Sequence, residues 1–272
     1  VGILRKKIAL WRIPFMVTLL SSLMCLIPSV QAAKAPVTDT MVTSTQQLKA
    51  FDSMVVSGNI KVTVLPASRS GSQSLTITRP SSQSYSISVK KRVLTIRQTT
   101  PWWVSTQPAK ITVDVNTLKK LSLYDAAAVS AKSFNTTSLA IDADTSGDIN
   151  LDGKVDLTSL VLKGPGNVHV RWVDSPSLNI DSTGDSAIDL SGTVGQMHVR
   201  LSNHSSLQAE YMRADSIAIQ TYRFAKAQVM PLTTLNAYAH DFSNIFYYKT
   251  PKYFTRFMSQ SGNILQMQWR ES

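Results

Sequence analysis

The chain predicts an all-β fold: a right-handed parallel β-helix-like solenoid of about eight coils, preceded by an N-terminal β region. Three observations lead there. Apolar residues alternate with a period of two from Phe51 onward, as in Asn59-Ile60-Lys61-Val62-Thr63-Val64 and Lys110-Ile111-Thr112-Val113-Asp114-Val115. No stretch beyond the first thirty residues carries the i, i+3, i+4, i+7 stripe of an amphipathic helix. From Leu121 a short unit then recurs to the C-terminus.

The first residues read as an address. Arg5, Lys6, Lys7 and Arg12 precede an apolar run from Phe15 to Ile27, and Val30-Gln31-Ala32-Ala33 supplies small residues for cleavage after Ala32. The apolar run is shorter than the ~20 residues that span a bilayer, so a signal peptide over 1–32 is expected, with no membrane span after its removal. Cys25, the single cysteine, lies inside this segment behind Met24, which is too large for a lipoprotein signal. The chain after cleavage is then cysteine-free. That suits an exported protein of a Gram-negative envelope, in the periplasm, on the outer-membrane surface or outside the cell. Residues 33–50 are polar and read as a linker, 51–116 as the N-terminal β region and 117–272 as the solenoid.

Composition narrows the function classes. The 272 residues, 43% hydrophobic and 17% charged, can build a real core and are no disordered tail. One cysteine excludes a disulfide scaffold and a cysteine-based zinc site. The formal charge of +11 is uneven. Residues 33–120 hold 12 basic and 3 acidic side chains, 121–195 hold 4 and 10, and 196–272 hold 8 and 4. A nucleic-acid partner needs a continuous basic face, which this segregation denies.

The recurring unit is an apolar-x-apolar pair, at Leu121/Leu123, Leu139/Ile141, Leu160/Leu162, Leu178/Ile180, Met197/Val199, Ile217/Ile219 and Leu235/Ala237, with a weaker copy near Phe254. Successive copies start 18 to 21 residues apart. A second pair follows in most copies, such as Ile149/Leu151 and Val168/Val170, with turn residues such as Ser146-Gly147-Asp148 and Thr183-Gly184-Asp185 between. Two tiny strands cannot bury an apolar face alone, whereas stacking one unit on the next can. A two-sheet sandwich is the competing arrangement.

These features together resemble the bacterial head GIN domain family, labelled autotransporter adhesins and otherwise without an assigned function. The residues that carry the resemblance are Phe51 with Val55-Val56-Ser57-Gly58-Asn59-Ile60-Lys61-Val62, then Arg92-Val93-Leu94-Thr95-Ile96, then Leu118-Lys119-Lys120-Leu121-Ser122-Leu123, then coils such as Ser146-Gly147-Asp148-Ile149. The resemblance runs from Phe51 to the C-terminus and implies an adhesin-like role. It brings no catalytic residues. One departure stands out: the glycine turn is replaced by Ser202-Asn203-His204-Ser205-Ser206, Tyr222-Arg223-Phe224-Ala225-Lys226 and His240-Asp241-Phe242-Ser243-Asn244.

Candidate sites follow from chemistry-bearing residues. Asp142, Asp144 and Asp148 offer oxygen ligands for a cation such as calcium, but Gly153 stands where a calcium loop needs a bidentate Glu, which favours a solvated turn. Asp125, Asp142, Asp181 and Asp185 recur near corners, as carboxylates do in β-helix lyases and hydrolases. A glycosidase pair needs two carboxylates across a walled cleft, and no long loop supplies walls. The histidines His169, His198, His204 and His240 lack zinc-ligand spacing. No cofactor motif is present. Trp102 and Trp103, in a Pro/Thr/Ser loop, either contact a ligand or cap the open end of the β-helix. Lys249, Lys252 and Arg256 alternate with aromatics and suit an anionic glycan or lipid headgroup. The reading is a non-enzymatic binding or adhesin-like β-solenoid whose ligand is an extended polymer, an envelope or host glycan, or else a protein partner. A polysaccharide-processing enzyme and a periplasmic scaffold are the alternatives.

Overall fold

The computed structural model describes residues 39–67, 73–101 and 106–268, and these contain strands and turns with no helix. The N-terminal strands are β1 (Met41–Leu48), β2 (Ser53–Ser57), β3 (Ile60–Pro66), β4 (Gln73–Pro80), β5 (Tyr85–Lys90), β6 (Val93–Gln98) and β7 (Ala109–Val115). The solenoid continues through β8 (Lys120–Asp125), β9 (Ala128–Ala131), β10 (Thr136–Thr145), β11 (Ile149–Leu162), β12 (Val168–Ser182), β13 (Ala187–Leu201), β14 (Ser206–Thr221), β15 (Lys226–Ala239), β16 (Asn244–Tyr247), β17 (Tyr253–Met258) and β18 (Asn263–Gln266). From β8 onward every neighbouring pair is parallel. The winding amounts to about seven turns, close to the eight coils that the repeat predicts.

Parallel stacking puts chemically alike residues above one another. Leu121, Ile141, Leu160, Ile180, Val199, Ile219 and Ala237 form one inward column, each opposite the next. All seven are buried. Burying one such aliphatic side chain is worth about 1.5–3 kcal/mol, and the column continues the same gain from coil to coil. In this register Leu139, Leu178, Met197, Ile217 and Leu235, which the sequence equates with Leu121, each lie two residues before the member of that column. A slip of two keeps each side chain on its own face, so the inward and outward assignments survive it.

The chain does not climb the solenoid in order. β2 lies between β6 and β8, and β3 between β7 and β9, all parallel. The outermost rung at this end, β6 and β7, is covered by antiparallel strands: β5 on β6, β4 on β7 and β1 on β4. These antiparallel strands end the parallel stack. Residues 41–48, which the sequence places in a linker, are therefore β1. Its alternation is hidden because almost every side chain on this edge strand is exposed.

Buried hydroxyls close the turns. Ser182 Oγ lies 2.7 Å from Ser186 Oγ and 2.9 Å from Ser205 Oγ, all three fully buried. Thr221 Oγ1 and Ser243 Oγ repeat the contact at 2.8 Å. Ser205 Oγ also donates to Gly184 O at 2.6 Å and Ser243 Oγ to Thr221 O at 2.9 Å, so the buried hydroxyls bond the turn backbone as well as one another.

Candidate functional site

The sequence-predicted residues fall into three groups. Trp102 and Trp103 lie outside the described residues, in the connection between β6 and β7. Asp142 and Asp144 project outward from β10, while Asp148 sits beyond the Ser146-Gly147 bend, its carboxylate accepting from Asn167 Nδ2 at 3.0 Å. Among the described residues no three His, Cys, Asp or Glu side chains are grouped to hold a metal ion. Asp142 and Asp181 share an outward row with Val161 between them, on an open sheet face.

The third group lies in the last described coil. Lys249 and Lys252 flank Pro251 before β17, with the Lys252 ammonium 5.2 Å from the Tyr253 ring centre. Arg256 stands opposite Ala237, in the inward column, and its guanidinium lies 5.8 Å from the Phe254 ring centre. All six residues of β17 are exposed. Period-two burial, expected of this aromatic-rich segment, fails in β17 because no described coil follows to cover the inward side.

A groove that sequence reading missed runs along the corner between the two strand segments of each coil. It is lined by Lys154, Trp172, Asp174, Gly192, Thr193 and Tyr211, with Arg213 beside them. Trp172 is 70% exposed and Tyr211 64%. The register sets Ser191 opposite Tyr211 on β14, and on the other side Gly192 opposite Val173, next to Trp172. One coil thus separates the two aromatics, and two strand spacings of about 4.8 Å put them roughly 10 Å apart.

The backbone at this corner explains the spacing. Trp172 has φ +65°, a left-handed conformation that a bulky residue adopts at a cost of about 1–2 kcal/mol. Gly192, at φ +133°, forms the floor between the aromatics. A Cβ there would stand 2.1 Å from Val173 O, so only glycine fits. Polar groups edge the groove. Lys154 Nζ meets Asp174 Oδ2 at 2.9 Å, and that carboxylate holds the ammonium pKa above the usual lysine value. The faint signal in the sequence was Trp172 itself, a large apolar residue where the repeat calls for a corner.

A second exposed aromatic row occupies the replaced turns. His204, Phe224 and Phe242 stack at 5.7 and 5.6 Å with rings nearly parallel. Phe224 and Phe242 are each 58% exposed, and their φ values are +67° and +59°. The His169, His198 and His204 rings are exposed, and His204 Nδ1 lies 3.3 Å from Asp185 Oδ1.

The chain belongs to the family described as "putative auto-transporter adhesin, head GIN domain", whose model matches residues 50–251. Solved structures share the fold. A "putative lipid binding protein" from Parabacteroides distasonis aligns with TM-score 0.76 at 16% identity, covering 84% of this chain and 97% of its own. A "putative adhesin" from Parabacteroides merdae aligns with TM-score 0.72 at 16% identity, covering 84% and 96%. A further "putative adhesin" from Parabacteroides distasonis gives 0.70 at 16% identity, covering 85% and 98%. No curated protein matches the chain.

Proposed function

We propose that this protein is an exported, non-enzymatic adhesin-like module that holds an extended glycan along the solenoid corner bearing Trp172 and Tyr211. The observation that carries the reading is the pair itself. Two exposed aromatics, one coil apart over a glycine floor, present rigid apolar surface at a pitch fixed by the solenoid. That pitch, roughly 10 Å, spans more than one sugar ring, so the two aromatics would meet alternate rings of an extended chain. Lys154, Asp174, Thr193 and Arg213 supply donors and acceptors for hydroxyl or carboxylate groups at the rims.

Membership of an adhesin-labelled family supports the binding role. Export rests on the basic-apolar-small pattern of residues 1–32 and the cysteine-free remainder. The enzyme alternative has less behind it: Asp142 and Asp181 stand two strand spacings of about 4.8 Å apart with Val161 between them, and of the two only Asp181 lines the shallow hollow at Ser159, Val161 and His198.

A glycan and lipopolysaccharide array tests the reading, run with the native chain, a Trp172→Ala/Tyr211→Ala variant and a Trp102→Ala/Trp103→Ala variant. Glycan binding that only the first variant loses supports the corner site. Binding lost only in the second moves the site to the β6–β7 loop. A blank array with the native chain contradicts a glycan ligand and favours a protein partner.

A further inference from the structure

The C-terminal end of the solenoid differs from the N-terminal end in having no antiparallel strands over it among the described residues. Beyond β15 only β17 stands on one face and beyond β16 only β18 on the other. Phe254, Phe257, Met258 and Leu265 are exposed there. Lys249, Lys252 and Arg256 lie in the same last coil, and residues 242–268, between Asp241 and Glu271, contain no Asp or Glu.

We propose that this end docks on an anionic lipid surface, with the apolar side chains entering the interface and the three basic groups meeting the headgroups. Exposed aromatic and aliphatic residues ringed by Lys and Arg are what an interfacial site needs, since each half contributes only part of the affinity. Long basic side chains also lay their apolar stems along such a surface while their charges reach the phosphates.

The same features disfavour a second copy of the chain as the occupant. Arg256 occupies the inward column that Ala237 fills one coil earlier, and an inward-pointing charge on an edge strand blocks continued stacking. Two such ends face to face would also oppose like charges. The docking is independent of the glycan reading, because the corner groove lies on β11–β14 and not on the last coil.

Vesicle co-sedimentation tests the proposal. A chain beginning at Asp39 serves, because it forms one compact unit containing every residue of the buried core and lacks the apolar N-terminal run. It is expected to sediment with phosphatidylglycerol vesicles, and far less with phosphatidylcholine vesicles. Lys252→Glu/Arg256→Glu should weaken that binding at least about tenfold. Phe257→Ser/Leu265→Ser should weaken it with the circular dichroism spectrum retained, melting falling only by what the stack of Phe257 on Tyr238 at 5.3 Å contributes. Trp172→Ala/Tyr211→Ala should leave it intact. The proposal is overturned by equal binding to both vesicle types, by no binding, or by binding that neither last-coil variant alters. A dimer in sedimentation velocity that Phe257→Ser/Leu265→Ser dissociates would instead assign this end to a second copy.

Discussion

Trp172 and Tyr211 stand on the same corner of the solenoid with one coil between them, both largely exposed. Neither repays its placement through burial, and Trp172 also sits at φ +65°. Eleven other described non-glycine residues share the left-handed region, so the strain marks a corner, and the glycan reading rests on the exposure of the two rings.

Trp172→Gly therefore separates stability from binding. Glycine relieves the left-handed conformation and removes little buried surface. Stability in urea should hold or rise by up to about 1 kcal/mol, while glycan binding falls. A loss of stability beyond about 1 kcal/mol would show that the indole packs as core.

Gly192→Ala should do the reverse. The new methyl meets Val173 O, and an L side chain is strained at φ +133°. Destabilisation of about 3 kcal/mol or more is expected, with a displaced groove floor and weaker binding. Denaturant melts beside binding titrations read both effects.

Ser205 tests the turn network. Its Oγ lies 2.6 Å from Gly184 O and 2.7 Å from Ser202 O, and it can accept from Ser182. Ser205→Ala removes the hydroxyl bond to Gly184 O and one of the two hydroxyl partners of buried Ser182, and should cost about 1–3 kcal/mol in chemical denaturation. Ser206→Ala, one residue on at a partly exposed position, should cost much less.

Alkaline unfolding should report on Tyr85. Burial pushes its phenol up to about 12. The group's contribution to stability is fully present below the unfolded value of about 10 and is lost as pH rises through about 12. Tyr85→Phe should flatten the fall in stability over that window. An unchanged slope would mean that the phenol titrates alike in the folded and unfolded chain.

Most of the solenoid was legible because stacking repeats one physical demand. Inward positions such as Leu160 and Ile180 must be apolar in every coil, and turns such as Thr183-Gly184-Asp185 must be small or polar. The N-terminal end was not legible in the same way. β1 carries no alternation, and the placement of β2 between β6 and β8 is a long-range pairing that no local pattern encodes. The last coil's aromatics looked half-buried in sequence because alternation cannot tell a covered rung from a final one.

The candidate site was legible only in part. Lys252 and Arg256 each lie against a nearby aromatic, Tyr253 and Phe254, a pairing that the interleaved sequence already displays. Trp172 and Tyr211 are 39 residues apart in sequence and become neighbours only through the coil register. Each alone reads as a scattered surface aromatic.

The most direct test of the glycan account is affinity against oligosaccharide length, using whichever glycan the array identifies. The account predicts a step in affinity once the oligomer is long enough to bridge the roughly 10 Å from Trp172 to Tyr211. Tyr211→Ala should abolish the step and leave short oligomers unaffected. Affinity independent of length, or a step that survives Tyr211→Ala, would contradict it.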